Sequence, residues 1–247
     1  MARRRFFGAG LAFFVIIVYF VGYVLPALHR MTATVPVLAD IEALPTIILD
    51  PGHGGQDGGA VGVDNIIEKG INLDIALVLR DMLTVSGFTV VMTRESDVSI
   101  HDEGISGTRR QKTSDMHNRL ALTTRHPRAV FISIHQNKYG SARNEGAQMF
   151  YGGKHADSAH LAEILQKNMA DMLQPENTRA IKKANKDLYL MVNAPCPAVL
   201  IECGFLSSPR EAHLLLDPVY QKKIAFVITG SILEFIQMEL PGAAAPG

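Results

Sequence analysis

The sequence predicts an α/β fold: a single three-layer domain in which a six-stranded, mainly parallel sheet carries helices on both faces. It also places an N-terminal transmembrane segment ahead of that domain. Three observations lead there. From Thr46 onward, strand-like and helix-like stretches alternate, the pattern of parallel strands joined by crossover helices. Two runs, "AVFISI" from Ala129 and "PAVLIE" from Pro197, are almost wholly apolar and suit central strands covered on both sides. Finally, Arg3, Arg4 and Arg5 precede an uncharged run from Phe6 to Leu28. A spanning helix needs about 20 apolar residues, against about 7–15 for the core of a cleaved signal.

Taken in order, residues 1–28 are the anchor or, alternatively, a signal segment, with the arginines in the cytoplasm and everything after them outside. Residues 29–45 hold no periodic pattern and read as a linker, and 46–239 as one catalytic domain. Its strands are expected at Thr46–Asp50, Phe88–Met92, Ala129–His135, Ala147–Tyr151, Leu188–Met191 and Ala198–Glu202. Ile71, Ile75, Leu79 and Met82 recur at helical spacing, and Gly87 closes that helix. Asp97 to Asp115 is polar and glycine-bearing, hence a long loop; helices follow at Met116–Arg125 and Ser158–Leu173. "SPRE" at Ser208–Glu211 is a capping box with proline in the first turn, and a last helix covers Val219–Met238. Residues 240–247 form a disordered tail.

The 247 residues carry 24 basic and 24 acidic side chains, so no basic excess marks a nucleic-acid binder. Two cysteines, Cys196 and Cys203, are too few for a disulfide framework or a cysteine zinc cluster. They read as packed thiols, with one bridge left open.

The stretch "TIILDPGHGGQDGGAVG" from Thr46 admits three readings. As a phosphate cradle it fails: Gly54 and Gly59 have Walker spacing, but Ala60 and Val61 follow in place of Lys and Ser or Thr. The dinucleotide fingerprint fails at Asp57, where a third glycine is required. As a turn with an incidental histidine, it would match His29, His101, His126, His155, His160 and His213, all solvated, and His117 on a helix surface. What separates His53 is His135, which ends "AVFISIH" where a site would form. A catalytic zinc takes three protein ligands and keeps one position for water. With no HExxH present, His53 and His135 would have to come from neighbouring strand ends. Glu68 would either turn back over them from the start of a helix or serve as an ordinary first-turn acid. Glu202 follows five apolar residues, and Gly204 permits a tight turn that leaves its carboxylate facing a cavity, as a general base beside a metal would need.

"ILDPGHGGQDGGAVG", "EKGINLDIALVLRDML", "VVMTRESD", "NRLALTTRHPRAVFISIHQN", "EGAQMFY" and "PAVLIECGFLSSPRE" together resemble the zinc-dependent N-acetylmuramoyl-L-alanine amidases. The match runs in order from Thr46 to Glu239. The resemblance implies a mixed, mainly parallel sheet flanked by helices, Zn2+ held by His53, Glu68 and His135, and Glu202 as the catalytic carboxylate. It also implies substrate contacts at Asn137 and Arg94, the latter open to a structural role; Gln136 departs from the small or apolar residue expected beside Asn137. Gly52, Gly54 and Gly55 would let a bulky glycan approach the metal.

Within that family the chain is most similar to the germination-specific type of endospore formers, which shares the apolar N-terminal segment and the "ECGFLS" ending. The implied reaction is hydrolysis of the amide between the lactyl group of N-acetylmuramic acid and L-alanine, serving muramic-δ-lactam formation in the spore cortex. The alternatives are a general wall-remodelling or separation amidase and, in another class, a muropeptide-binding regulator without turnover. The implied partners are peptidoglycan, the membrane through the N-terminal helix, and an extracytoplasmic accessory or activating protein, with no nucleic acid. The implied location is extracytoplasmic, for the cortex type between the mother-cell and forespore membranes.

Overall fold

A computed structural model describes residues 44–126 and 128–239. Residues 1–28, expected as an anchor, most of the expected linker and the expected tail lie outside them; among the described residues no helix is long and apolar enough to cross a membrane.

The chain enters the sheet as β1 (Thr46–Pro51), whose Ile47, Ile48 and Leu49 are fully buried. Helix α1 (Glu68–Val85) returns across one face, burying Ile71, Ile75 and Leu79 as the sequence spacing expects, with Leu83 buried and the expected Met82 half-buried. Strand β2 (Val90–Met92), helix α2 (Thr108–Arg125) and strand β3 (Ala129–Asn137) follow. After β4 (Gln148–Tyr151) come α3 (Asp157–Met172), a two-residue strand β5 (Lys182–Lys183) and the short helix α4 (Tyr189–Asn193). Strand β6 (Ala198–Phe205), α5 (Pro209–Leu216) and α6 (Pro218–Glu239) complete the domain.

The six strands lie in the order β2-β1-β3-β6-β4-β5. All pairings are parallel except β4 with β6, so the sheet is mixed and mainly parallel. One core, packed by α1, α3 and α6, covers one face; a smaller one, around Phe131, Met191 and Leu200, covers the other. Cys203 belongs to the first and Cys196 to the second. Both are free thiols on opposite faces of the sheet, and burial pushes Cys196 up to about 11.

Two expected elements are corrected. Leu188–Met191 is not a strand: Tyr189–Asn193 is helical and buries the consecutive residues Leu190 and Met191 against the smaller core. The sixth strand is Lys182–Lys183, which no apolar pattern marks. Helix α2 begins at Thr108, inside the expected loop, because its buried face is polar (Ser114, Asp115, Arg119, Thr123) and shows no apolar stripe. The capping box is half made. Ser208 Oγ accepts from Glu211 N at 3.3 Å, but the Glu211 carboxylate accepts from Gly146 N and Phe205 N instead.

Candidate metal centre

Strands β1, β3 and β6 are adjacent and parallel, so their carboxyl ends open on one place. There Gly52 N donates to Ile134 O at 3.0 Å, and the next residue, His53, takes the left-handed conformation at φ 63°. For a side chain other than glycine this costs about 1–3 kcal/mol and marks a functional constraint. The turn brings His53 Nε2 to 3.2 Å from Glu68 Oε2, while His135 Nδ1, on β3, lies 2.9 Å from Glu68 Oε1. The two imidazoles stand edge to face, 4.9 Å between centroids. One donor atom from each of His53, Glu68 and His135 falls within 4.8 Å of the others.

Glu68 is the first residue of α1, and Ile67 before it provides no side-chain cap. Its carboxylate therefore turns back to the strand ends, accepting from Ala60 N at 2.8 Å, Gln136 N at 3.0 Å and Asn72 Nδ2 at 3.1 Å. Burial opposes its charge, but the bonds from His135 and His53 outweigh burial and hold the carboxyl far below the usual range. Burial likewise opposes charge on His53, yet Asp57 and Glu68 raise it to about 9. A cluster that draws a proton this strongly, with two imidazoles and one carboxylate converging, suits a divalent cation of the zinc type.

Two glycines make that convergence possible. A Cβ on Gly52 would lie 2.2 Å from Cε1 and Nε2 of His135, and one on Gly59 would lie 2.5 Å from Glu68 Oε2. Gly54 and Gly55 have another reason: their Cβ atoms would strike Val98 O at 2.3 Å and Ser99 N at 2.9 Å. Gly54 and Gly55 thus let the loop pack against Val98 and Ser99, a packing reason the sequence reading did not name.

Glu202 lies on β6 directly across from His135 in register. The strand does not end there but runs on to Phe205, so Gly204 sits within it and makes no turn; a Cβ at Gly204 would meet Glu211 Oε2 at 3.2 Å. Glu202 Oε2 is buried without a hydrogen-bond partner. Burial pushes the carboxyl up to about 7, with Glu68 adding to the rise and both histidines opposing it. His53, His135 and Glu202 line a cavity of about 310 Å³ whose other wall includes Met116, Leu188 and Tyr189.

Neither expected substrate residue faces this cavity. Arg94 is buried and donates to the carbonyls of Pro51, Gly52, Lys69 and Ser96, clamping the β1 loop to the start of α1. Its geometry is that of the structural role left open in the sequence, met through carbonyls. Asn137 ends β3, its carbonyl accepting from Leu206 N at 2.7 Å, and is not among the cavity's lining residues. Gln136 is buried, with Nε2 on Asn72 Oδ1 at 3.1 Å.

The sequence reading passed over the support beneath the site. Arg119 on α2 donates to Asp50 Oδ1 at 2.6 Å, Pro51 O at 3.0 Å, His53 O at 2.7 Å and Asp115 Oδ2 at 2.6 Å. Asp50 also accepts from Thr93 and Ser133. The signal for Asp50 was the one that singled out Glu202, a carboxylate directly after an apolar run. Asp57, 3.1 Å from His53 Nδ1, stood in the glycine loop as the acid breaking a nucleotide motif.

The N-acetylmuramoyl-L-alanine amidase family matches residues 47–234. The chain is 44% identical over 189 residues to the germination-specific N-acetylmuramoyl-L-alanine amidase of Bacillus subtilis, covering 76% of this chain and 78% of that protein. Among solved structures, the CwlD amidase from Clostridioides difficile, in complex with the GerS lipoprotein, superposes with a TM-score of 0.75 at 39% identity, covering 78% of this chain and 99% of that one. The catalytic domain of the CwlV amidase from Bacillus (Paenibacillus) polymyxa superposes with a TM-score of 0.65 at 28% identity, covering 78% and 99%.

Proposed function

This chain belongs to the N-acetylmuramoyl-L-alanine amidase family and is an amidase acting on peptidoglycan; on that premise we propose that it works as a zinc enzyme of spore-cortex maturation. His53, Glu68 and His135 hold the metal and Glu202 is the general base. The observation that carries this reading is Glu202 Oε2, a buried and partnerless carboxylate oxygen on the residue opposite His135. A native protein leaves such an atom unpaired where a missing group or a reaction accounts for it.

Zinc held at these residues would supply Lewis-acid polarisation of the scissile carbonyl and a water of lowered pKa. The chain's own residues do the rest. Glu202 takes the proton from the attacking water as its oxygen bonds to the lactyl carbonyl carbon. It then returns that proton to the alanine nitrogen as the C–N bond breaks. A carboxyl raised to about 7 is suited to both transfers near neutral pH. Met116, Leu188 and Tyr189 line the same cavity and bring apolar surface to it, which limits the water around the reacting bond. Arg119 and Asp50 keep the β1 end from moving.

The cortex role is supported by the similarity to the germination-specific relative. The complex of the C. difficile amidase with a lipoprotein supports an extracytoplasmic accessory protein here. Arg3–Arg5 and the apolar run after them support residues 1–28 as a membrane anchor, with 29–45 as linker, 46–239 as the catalytic domain and 240–247 as its tail. The test is mass spectrometry of cortex-type and vegetative peptidoglycan after incubation with the zinc-loaded full chain. Release of peptides beginning with L-alanine is expected, and its absence would refute turnover. A fluorescent fusion visible in vegetative cells would favour the wall-remodelling alternative.

A further inference from the structure

Asp57 occupies the far side of His53 from Glu68, and neither the family match nor the reaction assigns it a part. It sits on the tight turn after β1, its backbone N and O both paired with Gly54 at 3.2 and 2.9 Å. Its Oδ2 lies 3.1 Å from His53 Nδ1, and Gly59 N donates to Oδ1 at 3.3 Å. The same Oδ2 meets Lys112 Nζ at 3.0 Å. Lys112 comes from α2, an element distant in the chain, and both it and Asp57 line the cavity.

We propose that Asp57 and Lys112 act as a positioning pair for the metal. Asp57 accepts from His53 Nδ1–H, which fixes the ring and leaves Nε2 as its donor, and Lys112 holds Asp57 in place from α2. The inference rests on His53 being a ligand. Imidazole ligands whose second nitrogen donates to a carboxylate are held in one tautomer and made more basic, and loss of such a partner lowers metal affinity about 10–100-fold. His53 needs such a partner because its backbone conformation is strained and its ring has one fixed edge, at Glu68. The Lys112 contact links the cavity's helical wall to the metal loop, so displacement of α2 would be felt at His53. Since the Lys112 side chain is 59% exposed, that contact is weak and salt-screened.

The test is zinc affinity of the full-length chain in detergent, by competition with a chromophoric chelator, alongside nitrogen NMR of the His53 ring in the zinc-free protein at a pH above about 9, where the ring is neutral and has a tautomer to report. Asp57→Ala should weaken zinc about 10–100-fold and turn His53 from one tautomer into a mixture. Asp57→Asn, which keeps an acceptor, should fall between it and the parent. Lys112→Met should weaken zinc about two- to fivefold in low salt, and the difference should vanish as an indifferent salt is added. His53→Ala is the control. If it binds zinc like the parent, the ligand reading itself is wrong. If it loses zinc while Asp57→Ala keeps both parent affinity and parent ring signals, the positioning inference alone is overturned.

Discussion

Gly52→Ala should disable the site while leaving the fold standing. The added methyl would lie 2.2 Å from Cε1 and Nε2 of His135 and 2.7 Å from Cδ2. Carbon contacts settle at about 3.5 Å or more, so something must yield by about 1.3 Å. The backbone is the less able to move. Gly52 N is bonded to Ile134 O at 3.0 Å, and its carbonyl accepts from Arg94 at 3.0 Å and Asn72 at 3.2 Å. The imidazole must withdraw instead, and its 2.9 Å bond to Glu68 Oε1 goes with it. A misplacement of about 1 Å costs on the order of a hundredfold in rate, and zinc should weaken by at least about tenfold. Gly52 does not have a positive φ, so alanine suits its backbone, and reduced freedom of the unfolded chain returns about 0.4–1 kcal/mol. The melting temperature should therefore stay within a few degrees of the parent. Gly70→Ala is the matched control: it lies in α1 with nothing within 4 Å of its Cβ and should leave zinc and turnover alone. The assays are chelator competition, release of L-alanine peptides and thermal melting. A Gly52→Ala protein with parental zinc affinity and turnover would refute the packing argument.

Four further outcomes are expected. Glu202→Gln should lose about 10²–10⁴ in turnover with zinc content unchanged, and loss of zinc as well would make Glu202 a ligand. Because the base works deprotonated, parental turnover should rise with pH and level off at or below about 7, a limb missing from the residual activity of that variant. His135→Ala should lose most of its zinc by elemental analysis, and full occupancy would remove it from the ligand set. Asp50→Asn should destabilise the domain by about 1–3 kcal/mol in urea melts, because it removes one of the two carboxylates paired with the buried Arg119 guanidinium and leaves Asp115 as the other. Although burial opposes it, Arg119 and Ser133 hold Asp50 below its ordinary 3.8, so that stabilisation is full above 3.8 and is lost as pH falls further; a gap between parent and variant that does not narrow in acid would contradict this. A phosphatase reporter joined after Pro45 should be active and membrane-bound, whereas activity only in the medium would mean a cleaved signal.

Two residues of the candidate site stood out in the sequence because each breaks a pattern that packing would otherwise complete. His135 and Glu202 interrupt apolar strands. Glu68 did not stand out, because an acid in the first turn of a helix is common, and only the family resemblance favoured it as a ligand. Periodicity could not show where β6 stops, since Cys203, Gly204 and Phe205 continue a strand as readily as they begin a loop. It failed at Tyr189–Asn193 because an apolar run this short satisfies a helix and a strand equally. It was silent over Thr108–Asp115 because that part of α2 buries polar groups, and hydrophobic spacing reports only apolar burial. Arg94 and Arg119 show a further limit. Both are charged residues in charged stretches, and only the folded chain brings them onto the carbonyls at the end of β1.

The outermost strands of the sheet govern how this domain meets copies of itself. A long, bare strand edge invites a second chain to add on, and the usual defences are brevity and lysine. Both are present: β2 has three residues, and β5 has two, Lys182 and Lys183, both exposed. A growing fibril would find little backbone to extend and two ammonium groups repelling the next layer. The apolar strands β1, β3 and β6 are kept from that fate by their interior position in the sheet. Replacing both lysines with valine would lengthen the β-prone border beside β4, and self-association would be expected to start there.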